Sequence, residues 1–305
     1  MVKELLSKLK FLDFFSGIGG FRLGFEMAGH ECVGHVEWDK YAQKSYTAMH
    51  NVKEDEYVGW DIRGVQGSDL PRADCWTFGF PCQDISLAGK QFGLSGERSG
   101  LFFSITKLIR DSKEENKPSY LLIENVKNLL SVNRGIDFAR LLIELDEIGY
   151  DTEWCVLDSK NFGVPQNRER IYIIGHFRGR GGRKVFPIEY NVNSNKILQI
   201  AEYDTKRINS NAYRVYNSNG VAPTLTTTQG GGRQPHILVS GRIRRLSPKE
   251  YFRLQGFPDE YFNRAKNAGV SDSQLYKQSG NSVSVPVIYE IARRLSKGEK
   301  FSFND

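Results

Sequence analysis

Along most of the chain, short apolar runs bounded by glycine or charge take turns with longer stretches whose apolar positions recur every three or four residues. The short runs at residues 11–15, 32–36, 75–80, 120–123, 154–157 and 171–174 read as buried strands, and residues 21–28, 101–109 and 138–148 read as helices. In the last of these helices Phe138, Leu141, Leu142, Leu145 and Ile148 fall on one face. Strand and helix in alternation predict an α/β fold built on a doubly wound, mostly parallel, Rossmann-like sheet. From His176 the pattern dissolves into Gly, Arg, Asn, Ser and Thr, which predicts a second, smaller, loop-rich domain. Helical spacing returns after Ser247, a natural N-cap with Pro248 behind it, and again in an apolar stretch ending at Leu295.

The 305 residues, 39% hydrophobic and 26% charged, suffice for one large domain or two unequal ones. No apolar run reaches the length of a membrane span, and the charged start lacks a signal-peptide core, so a cytoplasmic protein is expected. The four cysteines, Cys32, Cys75, Cys82 and Cys155, form no Cys-x-x-Cys pair, and the five histidines show no metal-ligand spacing. Neither a disulfide framework nor a metal site is expected. Charge is more telling: residues 176–245 hold twelve Lys or Arg against three Asp or Glu, whereas the rest holds thirty against thirty-three. Such a segment suits a nucleic-acid-facing module on a near-neutral body, although a merely basic soluble surface has the same signature.

The candidate chemistry collects at strand ends, where ligands bind in open α/β sheets. Gly79-Phe80-Pro81-Cys82-Gln83-Asp84-Ile85-Ser86 sets a thiol where an apolar run stops, and the polar, glycine-rich residues 88–100 that follow look like a lid. Alone, Cys82 reads equally well as one more small buried hydrophobe. Ser16-Gly17-Ile18-Gly19-Gly20 is a nucleotide-type turn, but it departs from Gly-x-Gly-x-x-Gly, which favours a ligand without a pyrophosphate, such as S-adenosylmethionine. Glu37, twenty residues beyond Gly17, suits ribose hydroxyls, and Trp38 offers a flat face for adenine. The competing role for Glu37 is a helix cap, which Asp39 could fill instead. Asp61 is a third strand-end carboxylate and Glu124 another. Arg168 and Arg170, at alternate positions before an apolar strand, project to one side; their ordinary alternative is a surface ion pair with Glu169.

Six segments in order, Asp13-Phe14-Phe15-Ser16-Gly17-Ile18-Gly19-Gly20, Gly79-Phe80-Pro81-Cys82-Gln83, Glu124-Asn125-Val126, Gln166-Asn167-Arg168-Glu169-Arg170, Arg245-Leu246-Ser247-Pro248 with Leu254-Gln255-Gly256-Phe257-Pro258, and Gly280-Asn281-Ser282-Val283, resemble the signature motifs of the DNA (cytosine-5-)-methyltransferases of the compact bacterial or phage type. The resemblance covers nearly the whole chain. It implies a sequence-specific enzyme that moves a methyl group from S-adenosylmethionine to carbon 5 of a flipped-out cytosine, leaving S-adenosylhomocysteine. By it, Cys82 would attack carbon 6, Glu124 would serve the N3 edge, and Arg170, with Arg168, would bind O2. Phe15, Gly17, Gly19, Glu37, Trp38, Asp61, Ile62, Pro81, Leu101, Asn281 and Ser282 would line the cofactor site. DNA contacts are expected at Ser86, Arg98, Gln166, Thr226, Arg233 and Arg242. The catalytic domain would span residues 1–187 and 272–305, the target-recognition domain 188–271, with double-stranded DNA between them. The resemblance also implies a monomer, and a cognate restriction endonuclease as a partner in function without a stable complex. Two rivals keep part of this reading: a relative acting on cytosine in transfer RNA, and a nucleic-acid binder that has lost catalysis. A nicotinamide oxidoreductase would leave the Pro-Cys-Gln and Gln-x-Arg-x-Arg segments without a role.

Overall fold

The computed structural model describes residues 8–81, 100–180, 182–202, 214–227, 234–297 and 300–301. Seven strands, β1 (Lys10–Phe14), β2 (Glu31–Val36), β3 (Tyr57–Gly59), β4 (Cys75–Phe78), β5 (Tyr120–Val126), β6 (Tyr150–Asp158) and β7 (Glu169–Phe177), form one sheet in the order β3-β2-β1-β4-β5-β7-β6. The neighbours from β3 to β5 are parallel, and β7 lies antiparallel between β5 and β6. The chain moves outward from β1 to β3, then resumes at β4 on the other flank of β1. That reversal opens a crevice at the carboxyl ends of β1 and β4, the place where such sheets bind ligands.

The helices are α1 (Gly20–Met27), α2 (Lys40–Met49), α3 (Leu101–Asp111), α4 (Ile136–Glu147), α5 (Pro248–Leu254), α6 (Asp259–Asn267), α7 (Asp272–Asn281) and α8 (Val285–Lys297). Strand alternation divides the apolar side chains between two faces. Leu12, Phe14, Trp76, Phe78, Leu121 and Ile123 pack with Phe102 and Ile105 of α3 and Leu141 and Leu145 of α4. Phe11, Cys75, Leu122 and Ile174 pack on the other face with Phe21 and Phe25 of α1 and Ile288 and Ile291 of α8. Each fully buried side chain of this size stabilises the fold by roughly 1.5–3 kcal/mol. Helices α1 and α8 approach so closely that a Cβ on Gly24 would lie 2.6 Å from Cγ2 of Ile288. The last helix is thereby held on the first.

A third layer forms where Phe252, Phe257, Ala265 and Leu275 join Ile18, Leu23 and Met49 in one cluster. Residues 248–271, expected in the smaller domain, therefore bury their apolar side chains against the larger body. The loop-rich region itself carries short strands. β8 (Gly182–Arg183) pairs with β13 (Lys300–Phe301), while β9 (Gln199–Glu202), β10 (Arg214–Asn217), β11 (His236–Val239) and β12 (Arg242–Arg245) make a sheet in the order β12-β11-β10-β9. All four residues of β12 are exposed.

Beneath the glycine turn, the α1 residue Arg22 is 2% exposed and meets Glu56 through two contacts of 2.7 and 2.9 Å, with Glu26 at 2.8 Å. Asp13 lies beside it, paired in register with His35 on β2 and Thr77 on β4, and its Oδ1 accepts from Thr77 Oγ1 at 3.2 Å. Burial pushes the Asp13 carboxyl up to about 8, against an ordinary 3.8. Between these values the unfolded chain has released a proton that the folded chain retains, so this group's stabilising contribution is full below 3.8 and is lost as pH rises through about 8. An Asp13→Asn variant removes that dependence. Its melting temperature relative to the parent chain should be higher at pH 8 than at pH 5; circular-dichroism melts showing the same difference at both pH values would refute the raised carboxyl.

Candidate active site at the carboxyl edge of the sheet

At the end of β1 the backbone turns through positive φ at three positions, Phe15 (52°), Gly17 (56°) and Gly19 (78°). Phe15 holds a conformation that costs a residue with a Cβ about 1–3 kcal/mol and so depends on its surroundings. A Cβ on Gly17 would meet nothing within 4 Å, whereas one on Gly19 would strike the ring of His50, whose Nε2 lies 3.0 Å from the Ile18 carbonyl. Gly19 is thus needed for conformation and for space. Gly17 is needed for conformation alone, and it leaves open room above the turn.

Glu37 closes that room from β2. Its Oε2 accepts from Gly17 N at 2.8 Å and its Oε1 from Asp39 N at 2.7 Å. Burial raises its pKa, opposed by these amides. The cap of α2 belongs to Asp39, which accepts from Tyr41 N and Ala42 N and pairs with Lys277 at 2.6 Å. Glu37 is therefore not used up in capping. Trp38 stands beside it, 70% exposed. Asp61 caps the short turn containing Ile62 and is held by Arg63 at 2.6 Å; hydrogen bonds from Arg63 lower its pKa. Ile62 itself is buried in the sheet core. Ser282 packs on the turn from the far side, its Oγ 2.7 Å from where a Cβ on Gly20 would sit, and Asn281 is exposed.

The chemistry-bearing edge follows at β4, β5 and β7. Past β4, Phe80 enters the core against Phe102, and Asn125 Nδ2 donates to the Phe80 carbonyl at 3.2 Å. This strap fixes the chain just before Pro81, and Leu101 resumes it as the first residue of α3. Glu124 and Arg170 meet diagonally across β5 and β7, Nε to Oε1 at 3.2 Å, with side chains only 12% and 13% exposed. A Cβ on Gly79 would lie 3.2 Å from the other Glu124 oxygen. Burial raises the Glu124 pKa, and the positive charges of Arg170 and Arg168 oppose the rise. The result is a carboxyl able to hold a proton closer to neutrality than usual, next to a guanidinium and beside the chain that runs to Cys82.

Two expected contacts sit differently. Arg168 is 3% exposed and its Nη2 donates to the carbonyls of Gly280 and Ser282 at 3.3 and 2.8 Å, so it braces the turn before α8. Gln166, expected at the DNA, is fully buried: its Oε1 accepts from Leu225 N, and its Nε2 donates to the Leu254 carbonyl and to Gln255 Oε1. That correction has a plain cause, since a neutral amide beside charged neighbours gives no sign in sequence of which way it faces. Thr226 and Arg242 are exposed. Cys82, Ser86, Arg98 and Arg233 lie outside the described residues. Gly79, Asn125 and Gln255 carry roles that their positions inside recognisable motifs signalled without defining.

The sequence profile of the family described as C-5 cytosine-specific DNA methylase matches residues 9–209 and 183–297. The chain belongs to this family. Type II methyltransferase M.HhaI of Haemophilus parahaemolyticus is 34% identical, over 97% of this chain and 97% of its own. M.NgoBI of Neisseria gonorrhoeae is 36% identical over 94% of this chain and 92% of its own. Among solved structures, the Entamoeba histolytica methyltransferase EhMeth superposes with a TM-score of 0.72 at 19% identity, covering 95% of this chain and 98% of that one, which shows the shared fold. The Glu124–Arg170 pair can be tested directly as an electrostatic unit. Replacing Arg170 with Met removes the charge opposing the effect of burial on Glu124. The carboxyl carbon signal of Glu124, followed by NMR in selectively labelled protein, should then titrate at higher pH than in the parent chain; an unmoved titration would mean the two groups are not coupled.

Proposed function

We propose that this DNA cytosine-5 methyltransferase works through a covalent Cys82 adduct on a cytosine flipped out of duplex DNA, with S-adenosylmethionine as methyl donor. The observation that carries the reading is the buried Glu124–Arg170 pair standing beside Gly79, three residues before Cys82. S-adenosylmethionine supplies the methyl group and departs as S-adenosylhomocysteine. The residues at the crevice fit it: open space above Gly17, a Glu37 carboxylate able to accept further hydrogen bonds, and the exposed Trp38 face. Phe15, Asp61, Ile62, Pro81, Leu101, Asn281 and Ser282 complete the proposed cofactor lining.

The Cys82 thiolate adds to carbon 6, forming a C–S bond while the ring's 5,6 π pair shifts toward carbon 5 and N3. Glu124 donates a proton at N3 and Arg170 holds the O2 edge, so negative charge on the ring is met as it develops. Carbon 5 takes the methyl group and loses its proton to a base, the C–S bond breaks to return the thiolate, and N3 gives its proton back to Glu124. A thiolate suits both ends of this cycle, as nucleophile and as leaving group. Arg168 acts here by bracing the turn at Gly280 and Ser282.

We assign target recognition to residues 188–246 and catalysis to the remainder. Support comes from the basic balance of residues 176–245, the exposed β12 with Arg242, and the packing of residues 248–271 on Ile18, Leu23 and Met49. Thr226, Arg233, Ser86 and Arg98 are the proposed DNA contacts, and the enzyme acts as a monomer on double-stranded DNA in the cytoplasm. A cognate restriction endonuclease would read the same sequence without binding the enzyme. Among the described residues, no helix is long and apolar enough to cross a membrane.

Bisulfite sequencing of DNA from cells expressing the chain should reveal methylated cytosine in one short fixed context, absent when Cys82→Ser is expressed at the same level. Methylation that persists with the serine variant would end the covalent reading. Glu124→Gln should lower the single-turnover methylation rate by about 10²–10⁴-fold while leaving DNA binding close to that of the parent chain. A drop confined to DNA affinity would instead give Glu124 a role in binding alone.

A further inference from the structure

The amide of Gln166 ties together three parts of the chain that the proposed reaction uses separately. Gln166 and Gln255 are both fully buried. Gln166 Oε1 accepts from Leu225 N at 3.1 Å, and its Nε2 donates to the Leu254 carbonyl at 2.9 Å and to Gln255 Oε1 at 3.2 Å. Gln255 Nε2 passes the connection on to the Ser279 carbonyl at 2.7 Å. One step further, Gly280 leaves no room for a Cβ against the Thr226 backbone, and its carbonyl receives Arg168. These contacts form a closed polar circuit in the protein interior.

The circuit is reinforced along the backbone. Residues 165–167 and Ala222 form a parallel bridge in which Ala222 N donates to the Pro165 carbonyl at 2.7 Å and Asn167 N to the Ala222 carbonyl at 2.9 Å. Thr224 Oγ1 adds a bond to the Asn167 carbonyl at 2.7 Å. Residues 221–227 lead directly into the glycine-rich stretch expected to meet DNA, and Arg168 and Arg170 follow Gln166 on the path into β7. A shift of the recognition segment must therefore carry residues 165–167 with it, because a close-packed interior transmits displacement rather than absorbing it.

We propose that Gln166 is a positioning residue that couples the seating of residues 221–227 on DNA to the placement of Arg170 beside Glu124. The inference rests on the reaction proposed above. Gln166 touches no reacting atom. Its effect is to make the catalytic pair respond to whether the recognition segment sits on the correct sequence, which is a contribution to specificity through rate.

The test uses the full-length chain and Gln166→Leu and Gln166→Glu variants, on a duplex carrying the context found by bisulfite sequencing and on duplexes with one base pair of that context changed. In both variants the single-turnover rate on the correct duplex should fall by about tenfold or more, and the ratio of correct to altered rates should shrink by a similar factor, with affinity for S-adenosylhomocysteine within about threefold of the parent. Gln166→Glu keeps the acceptor for Leu225 and loses the donations, so it carries the comparison should the leucine variant fail to fold. A lowered melting temperature with the parent's discrimination ratio would reduce Gln166 to a stabilising residue and overturn the proposal. A parent chain that methylates no cytosine in DNA would remove the underlying reaction, and the coupling with it, and is distinguished from the first outcome by the parent measurement alone.

Discussion

A carboxylate and a guanidinium can remain nearly buried at this sheet edge only because each offsets the other's loss of water. Either charge alone, at 12% or 13% exposure, would cost several kcal/mol. Their meeting depends on β7 running opposite to its neighbour, since that reversal sets Arg170 across from Val126 and diagonal to Glu124. On the other flank, β4 runs parallel to β5 and leads into Gly79, whose missing side chain leaves space for the second Glu124 oxygen. The strand that carries Glu124 thus stands between the chain leading to Cys82 and the arginine. Reversing β7 would part Arg170 from Glu124, and a Cβ on Gly79 would press on the second Glu124 oxygen.

The β1–α1 side of the crevice is built on a different constraint, the close approach of backbones. Gly19 admits His50, Gly20 admits Ser282 and Val283, and Gly24 admits Ile288. A turn this tight needs a rigid floor, which Arg22 provides by meeting Glu56 and Glu26 within the interior. Burial keeps His50 neutral, its pKa lowered to about 3, so it adds no second positive charge beside Arg22. The Gly17 amide, the Glu37 carboxylate and the exposed Trp38 indole lie together at this edge.

The sheet order alone would not distinguish a methyltransferase from other doubly wound enzymes, and solved relatives at 19–20% identity speak only to fold. Family membership comes from matches spanning nearly the whole chain. Glu124 lies toward the carboxyl end of β5 and Gly79 just past that of β4, whereas residues 166–170 lead into the amino end of β7, which antiparallel pairing brings to the same edge. A nicotinamide enzyme on this sheet would have no use for a buried Glu124–Arg170 pair beside Gly79.

Much of this was legible in the chain before folding. Period and punctuation marked the strands at residues 11–15, 32–36 and 120–123 because a doubly covered sheet demands continuous apolar runs, and glycine spacing marked the turn because only glycine tolerates its backbone. Glu37, Glu124 and Arg170 stood out because charge directly beside an apolar run is costly without a purpose. Partnerships were not legible. That Asp39 rather than Glu37 caps α2, that Arg168 braces Gly280 and Ser282 while Arg170 reaches Glu124, and that Gln166 faces inward all depend on which residues far apart in sequence come within 3 Å or so of one another. The same holds for residues 248–271, where Phe252, Phe257 and Ala265 cluster with Ile18, Leu23 and Met49 from the other end of the chain. Local pattern decides which atoms must be buried or turned, whereas the choice of partner for a buried polar atom is made by the packing of the whole chain.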